Sequence, residues 1–456
     1  MPQVEPTTVS EGSTKWGVVL ADLGLLMVLL NWLPYEKPLN SGLSLLIFIA
    51  ILWLTEATHI TFTALLIPVL SILMGLQTTP EALISFANPI IFLFFGGFAL
   101  AAALHQQGLD RMIANRILAL AKGRFIVAAL LLFLVSALLS MWISNTATTA
   151  MMLPLALGLL GSLDRQRYHK TFTFILLGIA YSASIGGIAT LVGSPPNAIA
   201  ASEAGLSFRD WMAIGLPISL LILPFAILTL YLIFRPALDL NIATDQEPVQ
   251  WSVPKVITLS IFVGTISLWI FSKPLAMALG GIDKFDSWVA IVAVVLIGVT
   301  QSASWKKIEQ QTDWGVLLLF GGGLTLSSVL KITGTSVFLA ESLTHMLTAA
   351  PIFISLLGIA GFVIFLTEMA SNTASAALLI PVFAAVAEPL GLSPIVTSAV
   401  IAVAASCAFM LPVATPPNAI VFGSGCIRQK DMMRAGLVLN ILCVFAVAIY
   451  FYWLLA

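Results

Sequence analysis

The sequence predicts an all-α polytopic membrane protein of about eleven transmembrane helices plus two re-entrant hairpins, arranged as an inverted-topology repeat. Three observations support that expectation. Hydrophobic residues make up 59% of the 456 and charged residues only 9%, too few charges to cover a soluble domain. The apolar residues gather in runs of the roughly 20 residues that cross a bilayer. Three polar or glycine-rich landmarks recur in the same order in the two halves of the chain.

The formal net charge of −1 conceals a clustering of charge between the apolar stretches, so lipid is the expected main solvent and no nucleic-acid partner is expected. Cys407, Cys426 and Cys443 have no CxxC or His-spaced pattern and read as small apolar residues, not as a disulfide framework or a zinc site. The opening MPQVEPTTVSEGSTK lacks the basic n-region and cleavage site of a secretory signal, so the first apolar run is expected to remain as a membrane helix.

Apolar runs place spans near 15–34, 41–56, 58–76, 87–106, 171–203, 208–234, 254–272, 286–302, 313–331, 393–424 and 432–455. Two further apolar stretches, about 125–161 and 351–388, are interrupted by SNTATT and SNTASA, polar runs that a lipid-facing helix does not tolerate. These are the expected re-entrant hairpins. With the N-terminus cytoplasmic, fifteen Lys and Arg fall inside and five, Lys37, Arg209, Lys273, Lys284 and Lys331, fall outside. That positive-inside bias sends the C-terminus outward.

The repeat is visible within the chain itself. FLFFGGFALAAALHQQGLDR (92–111) is echoed by LLLFGGGLTLSSVLKITGTS (317–336), SNTATTAMMLP (144–154) by SNTASAALLIP (371–381), and GSPPNAIA (193–200) by ATPPNAIV (414–421). Five crossings separate the hairpins, and an odd number makes them enter from opposite faces. The first repeat is expected over 1–234, the second over 254–456, and 235–253, with Pro236, Asp239, Asp245 and Glu247, reads as a cytoplasmic linker.

In each half an Asn between Ser and Thr sits at a hairpin tip, and a Pro-Pro-Asn at 195–197 or 416–418 breaks a following span. Proline lacks an amide hydrogen and disrupts the preceding turn, which strands carbonyl oxygens. Free carbonyls with Asn or Thr oxygens suit a hard cation such as sodium, while half-helix N-termini and hydroxyls suit carboxylates. One SNT alone could merely hydrogen-bond neighbouring helices. Two at matched positions, each followed by a proline break, point to a site. No Lys or Arg lies in these four segments, so an anion there needs co-bound cations, and two sodium ions would neutralise a dicarboxylate.

Other candidates read as structural. His59, His105, His169 and His345 lie at span ends or in loops and form no cluster. Glu368, three residues before the second SNT, is an intramembrane carboxylate and a functional candidate for that reason; a hydrogen-bonded structural acid is the favoured reading. Gly96-Gly97 and Gly321-Gly322-Gly323 lack the GxxxxGK[ST] pattern and read as close helix packing. The mixed segments 109–124 and 333–348 are expected to lie along the membrane surfaces.

The paired SNT motifs, GSPPNAIA, ATPPNAIV and LLLFGGGLTLSSVLK resemble the divalent anion/sodium symporter family over nearly the whole chain, and most closely its bacterial INDY-type dicarboxylate transporters. The resemblance implies a homodimer in a bacterial inner membrane, each protomer having a scaffold domain and a mobile transport domain that works by an elevator-type movement. By the same resemblance, one sodium site uses Asn145 with Ser140, Ser144 and Gly193, and a second uses Asn372 with Thr367, Ala370 and Ala414. Ser144, Asn145, Thr146, Ser371, Asn372 and Thr373 would hold the substrate carboxylates, with Ser194, Pro195, Thr415 and Pro416 lining the rest.

The resulting expectation is a secondary active transporter that couples sodium to uptake of C4-dicarboxylates such as succinate, malate and fumarate; a dicarboxylate exchanger or a sodium/citrate transporter is the alternative on the same fold. A channel would need a continuous lined pore. An enzyme would need a nucleophile and base near the motifs, and none is there.

Overall fold

The computed structural model describes residues 14–161, 163–238, 251–347, 351–387 and 392–455, and every regular element among them is helical. Most of the expected linker at 235–253 therefore lies outside the described residues. In the first half the helices are α1 (Trp16–Trp32), α2 (Lys37–Thr55), α3 (Ile60–Leu73), α4 (Thr79–Ile84), α5 (Pro89–Gln106), α6 (Leu109–Leu118), α7 (Phe125–Ser140), α8 (Asn145–Leu160), α9 (His169–Ile188), α10 (Pro195–Ala204) and α11 (Phe208–Phe234). In the second they are α12 (Val253–Ile270), α13 (Ser272–Ala278), α14 (Phe285–Val299), α15 (Trp305–Gln311), α16 (Trp314–Ile332), α17 (Thr335–Leu347), α18 (Ile352–Thr367), α19 (Asn372–Val386), α20 (Pro394–Ala405), α21 (Pro416–Gly423) and α22 (Gln429–Leu455).

A helix or a pair of half-helices occupies each expected span. Seven of the described helices are long and apolar enough to cross a membrane by length and composition. The expected spans 171–203 and 393–424 are each two helices, because Pro195-Pro196 and Pro416-Pro417 start a new helix at its first two positions, where a missing amide hydrogen does no harm. The expected hairpins are two antiparallel-capable helix pairs: α7 and α8 meet at 141–144, and α18 and α19 at 368–371. Both second arms start on the SNT serine. Ser144 Oγ accepts from Ala147 N at 3.3 Å and Ser371 Oγ from Ala374 N at 3.5 Å, so each serine caps its helix.

Packing falls into two sets of helices. In one, α5 lies against α14, α16 against α3, and α1 against α2; in the other, α9 lies against α7, α8 and α11, α20 against α10 and α19, and α18 against α22. The sets meet where α19 rests on α16 and α17 and where α10 meets α16. From Thr171 to Ile188 α9 is buried throughout, as suits a stretch that is apolar or small-sided all round.

The glycine runs serve packing. A methyl on Gly96 would sit 2.6 Å from Ala290 Cβ, and one on Gly322 would sit 2.6 Å from Ala64 O, so these backbones approach more closely than any side chain allows. His105 pairs with Asp110 at 2.8 Å and His169 with Asp431 at 2.9 Å, outside the motifs.

The tightest approach of α9 to another helix's backbone is at Gly186, where an added Cβ would lie 2.2 Å from Ala137 O and 2.6 Å from Ala137 Cα on α7. Gly186→Val is expected to lower stability by about 1–3 kcal/mol, since the obstructing atoms are backbone. Thermal unfolding of the purified protein in detergent measures this, with Gly358→Ala, at a position open to at least 4 Å, as the neutral comparison.

Candidate functional site

The two breaks are built alike. Asn197 lies at the third position of α10, and its Nδ2 reaches back to Gly187 O (2.8 Å), Ile188 O (3.3 Å) and Thr190 O (2.7 Å). Asn418 lies at the same position of α21 and donates to Ala408 O (3.4 Å) and Leu411 O (3.0 Å). The carbonyls stranded by the proline breaks are thus largely satisfied by the third residue of each Pro-Pro-Asn. Cation binding falls to the oxygens that remain. The breaks also touch: Ser194 Oγ lies 3.4 Å from Ser406 Oγ, and Tyr181 on α9 donates to Phe409 O at 2.6 Å.

The expected site residues divide by exposure. Ser140, Gly193, Ser194, Thr367, Ala370, Ala414 and Thr415 are buried; Ser144, Asn145, Pro195, Ser371, Asn372 and Thr373 are half-buried; Thr146 and Pro416 are exposed. The structure brings Asn145, Ser140 and Gly193 together, and it brings the two breaks together. Among the described residues no hydrogen bond joins one hairpin tip directly to the other. They are linked through the breaks, because α8 packs on α9 and α21, and α19 packs on α20 and α10.

Around Asn145 the donor set fits an alkali cation. One terminal atom of its carboxamide lies 2.5 Å from Ser140 Oγ, 3.1 Å from Ala183 O and 3.3 Å from Gly193 O. As nitrogen that atom donates to all three; as oxygen it accepts from the Ser140 hydroxyl and faces the Ala183 and Gly193 carbonyls, a gathering of oxygens with which a cation is compatible. Glycine makes the approach possible. A Cβ on Gly193 would fall 2.5 Å from Gly187 O and 2.9 Å from Ser140 O, and one on Gly187 would fall 2.3 Å from Asn145 Oδ1. All these oxygens are neutral, which suits a monovalent ion better than a divalent one that demands carboxylates. In the second half Asn372 Oδ1 is buried with no hydrogen-bond partner among the described residues, which leaves it as an acceptor.

The anion-binding capacity lies with the hairpins more than with the breaks. Helix geometry leaves the first amides of α8 and α19, those of Asn145, Thr146, Asn372 and Thr373, without intrahelical acceptors. Because Ser144 and Ser371 act as acceptors in their caps, their hydroxyl protons are free to donate. α10 and α21 begin with two prolines and offer no such amides.

Glu368 is a structural acid. It is 1% exposed, accepts from Met410 N and Leu411 N at 2.8 Å each, and accepts from Asn440 Nδ2 at 2.6 Å, so it fastens the second hairpin to the second break. At the equivalent place in the first half stands Met141, whose carbonyl accepts from Thr190 Oγ1, and Thr190 Oγ1 in turn accepts from Gly193 N at 3.2 Å. Thr190, Asn197, Asn418 and Asn440 were not singled out by sequence reasoning. For the two asparagines the signal was present in the Pro-Pro-Asn repeat; for Thr190 and Asn440 no local pattern exists.

Glu368→Gln places an amide group against backbone donors and removes an acceptor. It is expected to destabilise the protein by about 1–3 kcal/mol. A lowered unfolding midpoint in detergent checks this; an unchanged midpoint would remove Glu368 from its bracing role.

Comparison with known proteins agrees with this architecture. Residues 50–402 match the family described as Citrate transporter. The chain is 54% identical over 452 residues to a protein of Haemophilus influenzae called an uncharacterized transporter, covering 97% of this chain and 98% of that one. It is 33% identical over 475 residues to the sodium-dependent dicarboxylate transporter SdcS of Staphylococcus aureus, covering 96% and 91% of the two chains. The fold is similar to that of the YdaH transporter of Alcanivorax borkumensis, with a TM-score of 0.58, 14% identity, and coverage of 92% of this chain and 98% of that one. By this relationship over most of its length the chain belongs to the divalent anion/sodium symporter family, to which the citrate-transporter description points, and is a multi-pass membrane transporter.

Proposed function

We propose that the protein is a secondary active transporter that couples sodium to the uptake of a C4-dicarboxylate such as succinate, malate or fumarate. The observation that carries this reading is the pairing, in both halves, of neutral oxygens suited to a cation with free helix amides and hydroxyls suited to a carboxylate. Sodium at Ser140, Ser144, Asn145 and Gly193 and at Thr367, Ala370, Asn372 and Ala414 supplies the positive charge that these segments lack. The substrate's two carboxylates then meet Ser144, Asn145 and Thr146 on one side and Ser371, Asn372 and Thr373 on the other, between Ser194, Pro195, Thr415 and Pro416. The name of the Staphylococcus aureus relative supports sodium and a dicarboxylate; the description of the matching family keeps citrate as the second reading.

Alternating access by an elevator-type movement is the form this takes, in a homodimer with the N-terminus cytoplasmic and the C-terminus outward. The division of the helices into two sets supports it, with the set holding both hairpins and both breaks as the moving one and the other as the scaffold. Glu203 on α10 pairs with Lys331 on α16 at 2.7 Å and accepts from Ser327 Oγ at 2.9 Å, across the boundary between the sets. Movement of one set past the other breaks this pair.

Proteoliposomes with an inward sodium gradient are expected to accumulate labelled succinate several-fold above those with potassium; equal uptake would reject the coupling. Citrate competing better than succinate would favour the second reading, and uptake requiring internal dicarboxylate would identify an exchanger. Asn145→Ala and Asn372→Ala are each expected to weaken sodium binding at least roughly tenfold, the loss of one charge-assisted ligand. Sodium titration of substrate binding measures that.

The boundary has its own test. With Cys426 replaced by Ser, a Glu203→Cys/Lys331→Cys protein bridged by a short bis-thiol reagent is expected to lose uptake while keeping sodium-dependent binding. Full uptake by the bridged protein would mean that these helices do not separate.

A further inference from the structure

Outside the candidate site the described cavity of about 460 Å³ is an apolar groove between α7, α9 and α11. Its walls are two rows of side chains at i, i+4 spacing: Ile126, Leu130 and Leu134 on α7, and Leu223, Ile227 and Tyr231 on α11. Its floor is small or deeply buried, with Ala129 and Phe174 at 1% and 2% exposure. Pro224, inside α11, also lines it. The walls are exposed, at 43–50% for Ile126, Leu130, Leu134, Leu228 and Tyr231, on helices too apolar for water. Lipid is what faces them.

One end of the groove is basic. Arg124 caps α7 two residues before Ile126, and Arg235 caps α11 four residues after Tyr231. Arg235 has φ 44°, a left-handed turn that folds the chain back so that Ala237 N meets Thr171 Oγ1 at 3.0 Å and Leu238 closes the groove. Lys170, one turn before Phe174 on α9, stands at the same end. All three side chains are exposed, and among the described residues none has an ion pair or hydrogen bond. The next carboxylate in sequence, Asp239, lies outside the described residues.

We infer that this groove binds one acidic phospholipid, with an acyl chain between the α7 and α11 rows and the phosphate group at Arg124 and Arg235, aided by Lys170. Inside a bilayer an acyl chain gains packing but no hydrophobic transfer energy on entering a groove. Discrimination between lipids therefore rests on the headgroup, and the three cations favour an anionic one. The basic end is the one that the Lys and Arg distribution assigns to the cytoplasmic face, where anionic lipid attracts such clusters.

Native mass spectrometry of the full-length protein in detergent, titrated with phosphatidylglycerol or phosphatidylcholine of the same acyl chains, tests this without reference to transport. Wild type is expected to hold phosphatidylglycerol about tenfold more tightly. Each of Arg124→Gln and Arg235→Gln is expected to weaken it about fivefold and the pair to erase the preference, while Arg124→Lys/Arg235→Lys retains it. Leu228→Trp, which fills the groove from an exposed position, is expected to weaken both lipids. Equal binding of the two lipids by wild type, an undiminished preference in the double Gln variant, or unchanged binding in Leu228→Trp would each overturn the inference.

Discussion

A helix interrupted inside a membrane leaves carbonyl oxygens facing neither water nor their usual amide partners, and most of what surrounds the candidate site follows from how this protein meets that demand. Asn197 and Asn418 place a carboxamide at the third position of a half-helix, where it reaches back to two or three carbonyls at the end of the preceding half-helix or in the loop just beyond it. Hydrocarbon offers no substitute donor, so each break is held in one geometry. Gly193 is thereby set against Ser140 and Asn145 at the first hairpin, and the contact between Ser194 and Ser406 brings the two halves into one assembly.

The division of labour among polar groups follows from the same constraint. The prolines that start α10 and α21 remove the amides that could have met an anion, and the serines that cap α8 and α19 leave theirs available. Breaks and hairpins thus contribute different things. The breaks bring carbonyls and order, and the hairpins bring carboxamides, hydroxyls and amides. A site built only from neutral groups binds an anion well only when a cation enters with it, so the proposed coupling is a matter of charge balance in a medium of low dielectric.

The halves are alike in sequence but not in how they are braced. A threonine hydroxyl fastens the first hairpin to its break and a carboxylate fastens the second. Met410 N, Leu411 N and Asn440 Nδ2 are the donors that allow the Glu368 carboxyl group to be fully enclosed there. The surroundings of Asn145 and of Asn372 are therefore equivalent in origin and different in electrostatics.

Much was legible in the sequence. Apolar runs of sufficient length located the spans, SNTATT and SNTASA located the turns between paired helices, and the internal repeat matched the two breaks, because lipid forbids polar backbone and side chains except where they are enclosed. Asn145, Gly193 and Ser140 could be named in advance only through motif resemblance, since nothing in their spacing shows that residues 140, 145 and 193 converge. Glu368 was legible as an enclosed, hydrogen-bonded acid, but its donors were not, and Asn440, 72 positions away, carried no signal at all. Periodicity and composition, which report on each segment's own contact with lipid, determined by themselves where this chain is helical and where it is broken. Only the tertiary structure decided which carbonyls are satisfied and which remain for a cation, because that depends on hydrogen bonds between segments far apart in the chain.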